Sequence, residues 1–348
     1  MSLDTSAQKV FDAITARLQV VSDGRIKKKL QEGRKVAGYW GTAPTGRPHF
    51  GYMVPLVKVA ECVAAGCDVT IYLGDSYAYL VNYDVSQDVV AHRTQYYRFL
   101  IGSILRAIGV DMSKITFVAE SIYTSTPPFC KDLARMLVHS SQEDIKMVGL
   151  EVTTAHMMSP LLCPVYQALS EVYIGGDFQL GGEDQLGMFA YADKVLPRIG
   201  YEPVSHLANV IVPGLHKGKM SSSALAATKI EWLDSPDTIK EKLEGISWAE
   251  LDGPAATAVL PMLQHCLFPL YHLGALGSEK ITAQLVDGST KEYTTYEELE
   301  RDLQARHLGL ETLQPTIVAL INQVLSPIRA EHATNQEWRL AEKLAYND

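Results

Sequence analysis

The sequence is short of the features that would place a protein in a membrane, in a disulfide-stapled fold or on a nucleic acid by charge alone. Only five of its 348 residues are cysteine, namely Cys62, Cys67, Cys130, Cys163 and Cys266. An odd number without metal-ligand spacing argues against a disulfide framework or a structural metal, and makes reduced thiols in a cytoplasmic protein the expectation. No uninterrupted apolar run is long enough to cross a bilayer, and no segment has the pattern of a signal peptide. Internal repeats and low-complexity tracts are missing as well. Basic residues are outnumbered, 31 Lys and Arg against 40 Asp and Glu, for a formal charge of −9. Affinity for a polyanion rests on neutralising phosphates, so a nucleic-acid surface would need a local basic cluster, and none stands out. Apolar residues are plentiful: 47% hydrophobic content supports a substantial core and, at this length, two domains.

Periodicity supplies the organisation. Residues 6–32 read as an amphipathic helical preface, with Val10, Ile14, Leu18 and Val21 at helical spacing. Strands rich in β-branched and aromatic residues are predicted over 36–40, 69–73 and 115–118, with helices over 54–64 and 87–108 between them. Such alternation predicts an α/β fold, a doubly wound parallel sheet that binds ligands at the carboxyl ends of its strands. A helix-rich stretch follows over about 129–172, and from about 234 onward the chain reads as a smaller helical domain.

Two short segments carry the chemistry. The first is Tyr39-Trp40-Gly41-Thr42-Ala43-Pro44-Thr45-Gly46-Arg47-Pro48-His49-Phe50-Gly51-Tyr52, a strand running into a Gly/Pro turn and then a helix. Backbone N–H groups at a helix start, with an imidazole beside them, suit phosphate oxygens. The second is Lys219-Met220-Ser221-Ser222-Ser223, a cationic, hydroxyl-rich loop flanked by Gly214 and Gly218. Either segment alone reads as a plain turn or a solvated loop. In this order and on either side of an α/β pattern, they form a two-part device for holding a triphosphate while a carboxylate attacks its α-phosphorus.

In these segments the chain resembles the tyrosyl-tRNA synthetases of the eukaryotic and archaeal kind, in class I. His49-Phe50-Gly51-Tyr52 resembles that family's His-containing signature, and Lys219 to Ser223 its lysine-serine signature. Further stretches extend the likeness over most of the chain: Ala65 to Ile71, Asp75 with Ala78-Tyr79-Leu80 and Asn82, Gln167-Ala168-Leu169, Gly181-Gly182-Glu183-Asp184-Gln185, Val212 to Leu215, and Leu325 with Pro327-Ile328-Arg329. The resemblance implies a class I aminoacyl-tRNA synthetase, with a Rossmann-like sheet, a helical connective insertion over about 119–175 and a C-terminal α-helical domain over 234–348. It implies ATP as cosubstrate, with Mg²⁺ accompanying the triphosphate and no protein-held metal. His49, Lys219 and Ser222 would be catalytic. Gly41, Thr42, Gly46, Gly51, Tyr52, Gly182, Asp184, Met220, Ser221 and Ser223 would complete the nucleotide site, Asp184 on the ribose. No general base is required, because the attacking carboxylate is already ionised, and catalysis reduces to positioning and electrostatic stabilisation.

The likeness breaks down in two places. Tyr39, Gln167 and Gln185 match family residues that contact tyrosine, with Asp75 nearby, but Cys163 replaces a Tyr and Ser170 an Asp that helps grip the substrate phenol. Tyr72 and Tyr77 stand where relatives carry an aliphatic residue and a His, which adds bulk to the pocket. A site built to hydrogen-bond a hydroxyl discriminates through that bond, so the expectation is weakened selection of tyrosine and a smaller amino acid, unless these tyrosines are simply repacked core. Secondly, the segments aligned with the anticodon-reading elements, Ser278-Glu279-Lys280-Ile281-Thr282-Ala283 and Gly309-Leu310-Glu311-Thr312-Leu313-Gln314, lack the expected Asp and Lys, and Gln142-Glu143-Asp144-Ile145-Lys146-Met147 is acidic where relatives are basic. The leading expectation is an adenylating enzyme that hands its aminoacyl group to a small-molecule amine or hydroxyl. A genuine but divergent tyrosine–tRNA ligase, with tRNA as partner, is the alternative. A non-catalytic binding module is the third. A homodimer through Leu133, Met136, Leu137 and Val138 is expected.

Overall fold

A computed structural model describes residues 3–146, 148–149, 152, 154–215, 225–248, 253–277 and 280–346. At its centre is a six-stranded sheet in the order β1-β6-β5-β2-β3-β4. Its strands are β1 Gln19–Val20, β2 Ala37–Thr42, β3 Asp68–Leu73, β4 Ile115–Ala119, β5 Phe178–Gly182 and β6 Ser205–Asn209. β2 to β6 run parallel, and β1 lies antiparallel along the edge of β6. β2 is the hinge of the topology: the chain moves outward through β3 and β4 on one side and through β5 and β6 on the other. A crevice therefore opens beyond the carboxyl ends of β2 and β5, the place where such sheets take ligands.

Close packing explains the glycine in the middle of β2. A Cβ on Gly38 would lie 2.1 Å from Cζ of Phe178, so the central strand gives up a side chain to let that ring cross it. One apolar core packs the sheet against helices Met53–Ala64 and Gln87–Ala107 and continues to Trp338 near the C-terminus. A second core, holding Tyr39, Tyr72, Tyr123, Phe129 and Leu169, lies under helices Pro127–Val138, Cys163–Tyr173 and Leu186–Val195. The crevice lies at the meeting of the two.

The N-terminal preface departs from expectation. It is two helices, Thr5–Thr15 and Gly24–Gln31, and between them β1 joins the main sheet. The break falls at Arg17, whose φ of 59° cannot continue a helix. Beyond Asp234 the chain is largely helical as expected, but it also carries a hairpin of β7 Ile281–Gln284 and β8 Thr290–Tyr293 that periodicity did not reveal. Of the apolar residues expected at a two-fold interface, Met136 is buried core and Leu133 is half-buried, while Leu137 and Val138 are exposed.

Candidate active site

β2 delivers the first signature to the crevice. Gly41 and Thr42 end the strand, the turn follows, and Phe50–Tyr52 form a single 3-10 turn that leads into helix Met53–Ala64. Thr42 Oγ1 lies 3.0 Å from the Tyr52 hydroxyl, and the His49 and Tyr52 rings meet edge to face at 5.1 Å, so three of the predicted residues face one another. Gly41 is constrained by a neighbour, since a Cβ there would sit 2.5 Å from Cδ1 of Tyr72.

The turn is also relieved of its acceptors. The Thr45 carbonyl receives Arg93 Nη1 at 2.6 Å, and the Gly46 carbonyl receives the hydroxyls of Tyr97 at 2.9 Å and Tyr346 at 3.0 Å. The Arg47 carbonyl receives Nζ of buried Lys229 at 3.3 Å. With those carbonyl dipoles bound, an anion approaching the turn meets fewer opposing negative ends, which is the fit a triphosphate requires. Burial pulls the Lys229 ammonium below its ordinary pKa, although Glu231 opposes the shift. Among the described residues no group of three His, Cys, Asp or Glu is placed to hold a metal.

Lys219, Met220, Ser221, Ser222 and Ser223 lie outside the described residues. The stem of their loop is inside, and it closes on itself where Leu215 N donates to Thr228 O at 3.1 Å. Its downstream arm then runs beside the first signature. His49 forms an antiparallel bridge with Glu231, Phe50 N donates to Ile230 O at 2.8 Å, and Trp232 Nε1 donates to His49 O at 3.0 Å. The first signature and the arm that follows the Lys219 loop therefore share one short patch of backbone pairing.

The residues expected from the sequence to face the amino acid come from β2, β3 and the helix Cys163–Tyr173, with Gln185 just beyond β5. Tyr39 is fully buried, and its hydroxyl lies 3.2 Å from Ser170 Oγ, which in turn donates to the Gln167 carbonyl at 2.6 Å. Gln167 Nε2 donates to Gln185 Oε1 at 2.9 Å, so Tyr39, Ser170, Gln167 and Gln185 form a connected row. Tyr72 meets Tyr39 edge to face at 6.3 Å, Tyr77 is half-buried alongside, and Cys163 is fully buried at the start of its helix. Burial drives both the Tyr39 and Tyr72 phenols well above their ordinary range, so both are neutral donors. Asp75 serves as a tie instead of an open ligand: it accepts from Ser76 N at 2.9 Å and Ser121 N at 2.8 Å, and from Ser121 Oγ at 2.6 Å. Gly182 and Asp184 stand at the mouth beyond β5, with Asp184 exposed.

Several residues escaped sequence reasoning. Arg47 is held by Glu342 at 2.7 Å and lies over the Tyr346 ring at 4.3 Å, so the C-terminal helix Gln336–Tyr346 clasps the signature turn from behind. Nothing in local sequence links those positions. Glu120, just past β4, is fully buried beside Tyr72 and Tyr123, and burial pushes its carboxyl up to about 7. A carboxylate directly after an apolar strand in a parallel sheet was the signal available for it.

Comparison with known proteins agrees with this geometry. The family model for class I tRNA synthetases (W and Y) matches residues 31–326. Cytoplasmic tyrosine–tRNA ligase of Saccharomyces cerevisiae is 35% identical over 97% of this chain and 88% of its own length. The Xenopus tropicalis cytoplasmic enzyme is 38% identical over 91% of this chain, which spans only 59% of that relative. Among solved structures, tyrosyl-tRNA synthetase of Archaeoglobus fulgidus, complexed with L-tyrosine, superposes with a TM-score of 0.80 at 25% identity, covering 93% of this chain and 99% of that one. The Aeropyrum pernix enzyme gives 0.83 at 23% identity, covering 99% and 100%. With the sheet order, the paired signatures and these matches in hand, the chain belongs to the class I tRNA synthetases of the tryptophanyl and tyrosyl group, on its eukaryotic and archaeal tyrosyl-type branch.

Proposed function

We propose that this protein activates an amino acid with ATP, forming an aminoacyl-adenylate and pyrophosphate, and transfers the aminoacyl group to tRNA. The carboxylate oxygen attacks the α-phosphorus and the bond to the bridging oxygen of pyrophosphate breaks. The observation that carries this reading is the backbone pairing of His49 with Glu231, which brings the stem of the Lys219 loop alongside the first signature. His49 would donate to the phosphoryl oxygens as charge builds on them, and Lys219 with Ser221, Ser222 and Ser223 would neutralise the departing pyrophosphate. Gly41, Thr42, Gly46, Gly51 and Tyr52 would frame the triphosphate, and Gly182 and Asp184 the ribose. The relatives' names make tyrosine the first amino acid to test; a homodimer is the first assembly to test.

Relatives that are tRNA ligases support tRNA as acceptor better than the small-molecule acceptor that the sequence put first. Transfer to a small amine or hydroxyl stays as the second reading because Ser170 replaces the carboxylate expected beside Tyr39, and because the sequences of Ser278 to Ala283 and Gly309 to Gln314 lack the family's anticodon-reading Asp and Lys. ATP–pyrophosphate exchange over a panel of amino acids, followed by charging of bulk tRNA, tests both. Exchange that falls by at least ~100-fold in His49→Ala is the expected result. Exchange without charging selects the second reading, and failure to bind ATP refutes both.

A further inference from the structure

Tyr39, Gln179 and His206 stand side by side in register on β2, β5 and β6, so their side chains share one face of the sheet. Helix Cys163–Tyr173 meets that face through two successive residues: Ser170 Oγ lies 3.2 Å from the Tyr39 hydroxyl, and Glu171 Oε1 lies 2.9 Å from His206 Nε2. The other Glu171 oxygen accepts from Val204 N at 2.9 Å. On the far side of the imidazole, Nδ1 lies 3.4 Å from Oδ1 of Asp193 on helix Leu186–Val195, and Phe189 of the same helix stacks on the ring at 4.5 Å. His206 and Glu171 are buried, whereas Asp193 is exposed. The neighbouring strand positions bring no unmatched charge: Gln179 is neutral, Ser22 binds the His206 backbone N–H, and Asp177 at the foot of β5 is met by Arg25 and Lys29. Burial opposes a charge on the ring, but the bonds to Asp193 and Glu171 outweigh it and raise the imidazole to about 9. At neutral pH the contact is therefore an imidazolium between two carboxylates.

We propose that His206 is a positioning residue for the amino acid: clamped between Glu171 and Asp193, it seats helix Cys163–Tyr173 over Tyr39 and fixes that helix relative to Leu186–Val195, and so places Ser170, Gln167 and Gln185 for the substrate. The Ser170–Tyr39 contact is a neutral pair, and a charge-assisted bond is about twice as strong, so the helix takes its seat from Glu171 and the adjacent Ser170 follows. Gln167 lies one turn before Glu171 and donates to Gln185, which immediately precedes the second helix. One buried ring thus ties together the two helices that this bond spans. The Glu171 charge also reaches Tyr39, where it adds to the effect of burial in keeping the phenol neutral. The assignment rests on the adenylation reading for its reaction, but not for its binding test.

The experiment compares the full chain with His206→Gln and Asp193→Asn in ATP–pyrophosphate exchange, with L-tyrosine first and then the other standard amino acids, over about pH 7.5 to about pH 10. Thermal-shift titration with the same amino acids runs in parallel. At about pH 7.5, His206→Gln should raise the amino-acid KM by ~5–20-fold and leave the ATP KM within ~2-fold. The ratio of the two proteins' amino-acid KM values cancels the substrate's own ionisation. It should fall towards one at about pH 10, because the wild-type ring is charged below about 9 and has lost its proton by then. Asp193→Asn, altered on the exposed side, keeps the test open if His206→Gln does not fold: its amino-acid KM should begin to rise at a lower pH than the wild type's, since one of the two carboxylates that hold the proton is gone. A KM ratio that is constant with pH, an ATP KM that rises in step with the amino-acid KM, or an Asp193→Asn profile that matches the wild type overturns the proposal and leaves adenylation intact. If no amino acid supports exchange, adenylation fails and the titration decides: amino-acid stabilisation that weakens in the variants at about pH 7.5 supports the assignment, and no such weakening overturns it.

Discussion

Replacing Glu120 by Gln should change how stability depends on pH more than it changes the structure. The carboxyl is fully buried, and desolvation raises it from 4.5 to about 7; Tyr72 and the Tyr77 backbone pull it down, and Asp75 pushes it further up. A folded-state pKa above the unfolded one means that the native state holds the proton more tightly. Stability is therefore greatest below about pH 4.5 and declines as the pH rises through about 7, where the buried group must ionise. The shift sets a ceiling of about 3 kcal/mol, and relaxation around the carboxyl brings the expected loss to about 2 kcal/mol. Glutamine has the same shape and does not titrate, so the difference between the two proteins isolates this group from others, including His206. Urea unfolding at about pH 5 and about pH 8 should show the wild type losing about 2 kcal/mol more than Glu120→Gln over that interval. Parallel profiles, within about 0.5 kcal/mol, would mean that water reaches the carboxyl.

Other tests address the rest of the crevice. The clasp of the signature turn predicts a coupling of about 1–2 kcal/mol between Arg47→Ala and Glu342→Ala in a double-mutant cycle, since the pair is only partly exposed. It also predicts a several-fold rise in the ATP KM for Tyr346→Phe with the amino-acid KM unmoved; equal changes in both constants would reject it. Gly38→Ala should lower stability by about 2 kcal/mol or more, read by thermal unfolding, because its Cβ meets the Phe178 ring with no space to yield. Native alkylation should modify Cys130 alone, with the remaining thiols reacting only in denaturant, since the other four cysteines are buried and burial raises the thiols of Cys62, Cys67 and Cys266.

Local pattern was enough to reveal the parallel α/β sheet, the long helix that begins after Ser86 and the two signatures, because apolar periodicity and glycine placement are written residue by residue. The same pattern misread the N-terminal preface, since the pairing of Gln19 and Val20 with β6 is a contact made far away in sequence. The β7–β8 hairpin escaped for a similar reason: its short strands are stabilised by their mutual pairing and by packing on helix Gln314–Thr334 more than by their own composition. The departures at Ser170 and Tyr72 were legible as residue types, but not their consequence. Only the folded chain shows that Tyr39 and Ser170 close on each other while Glu120 is buried beside the Tyr72 and Tyr123 hydroxyls. Sequence determined which chemical groups the crevice could own. Tertiary structure decided which of them already have partners, because hydrogen-bond satisfaction depends on distance and burial between segments that no local pattern relates.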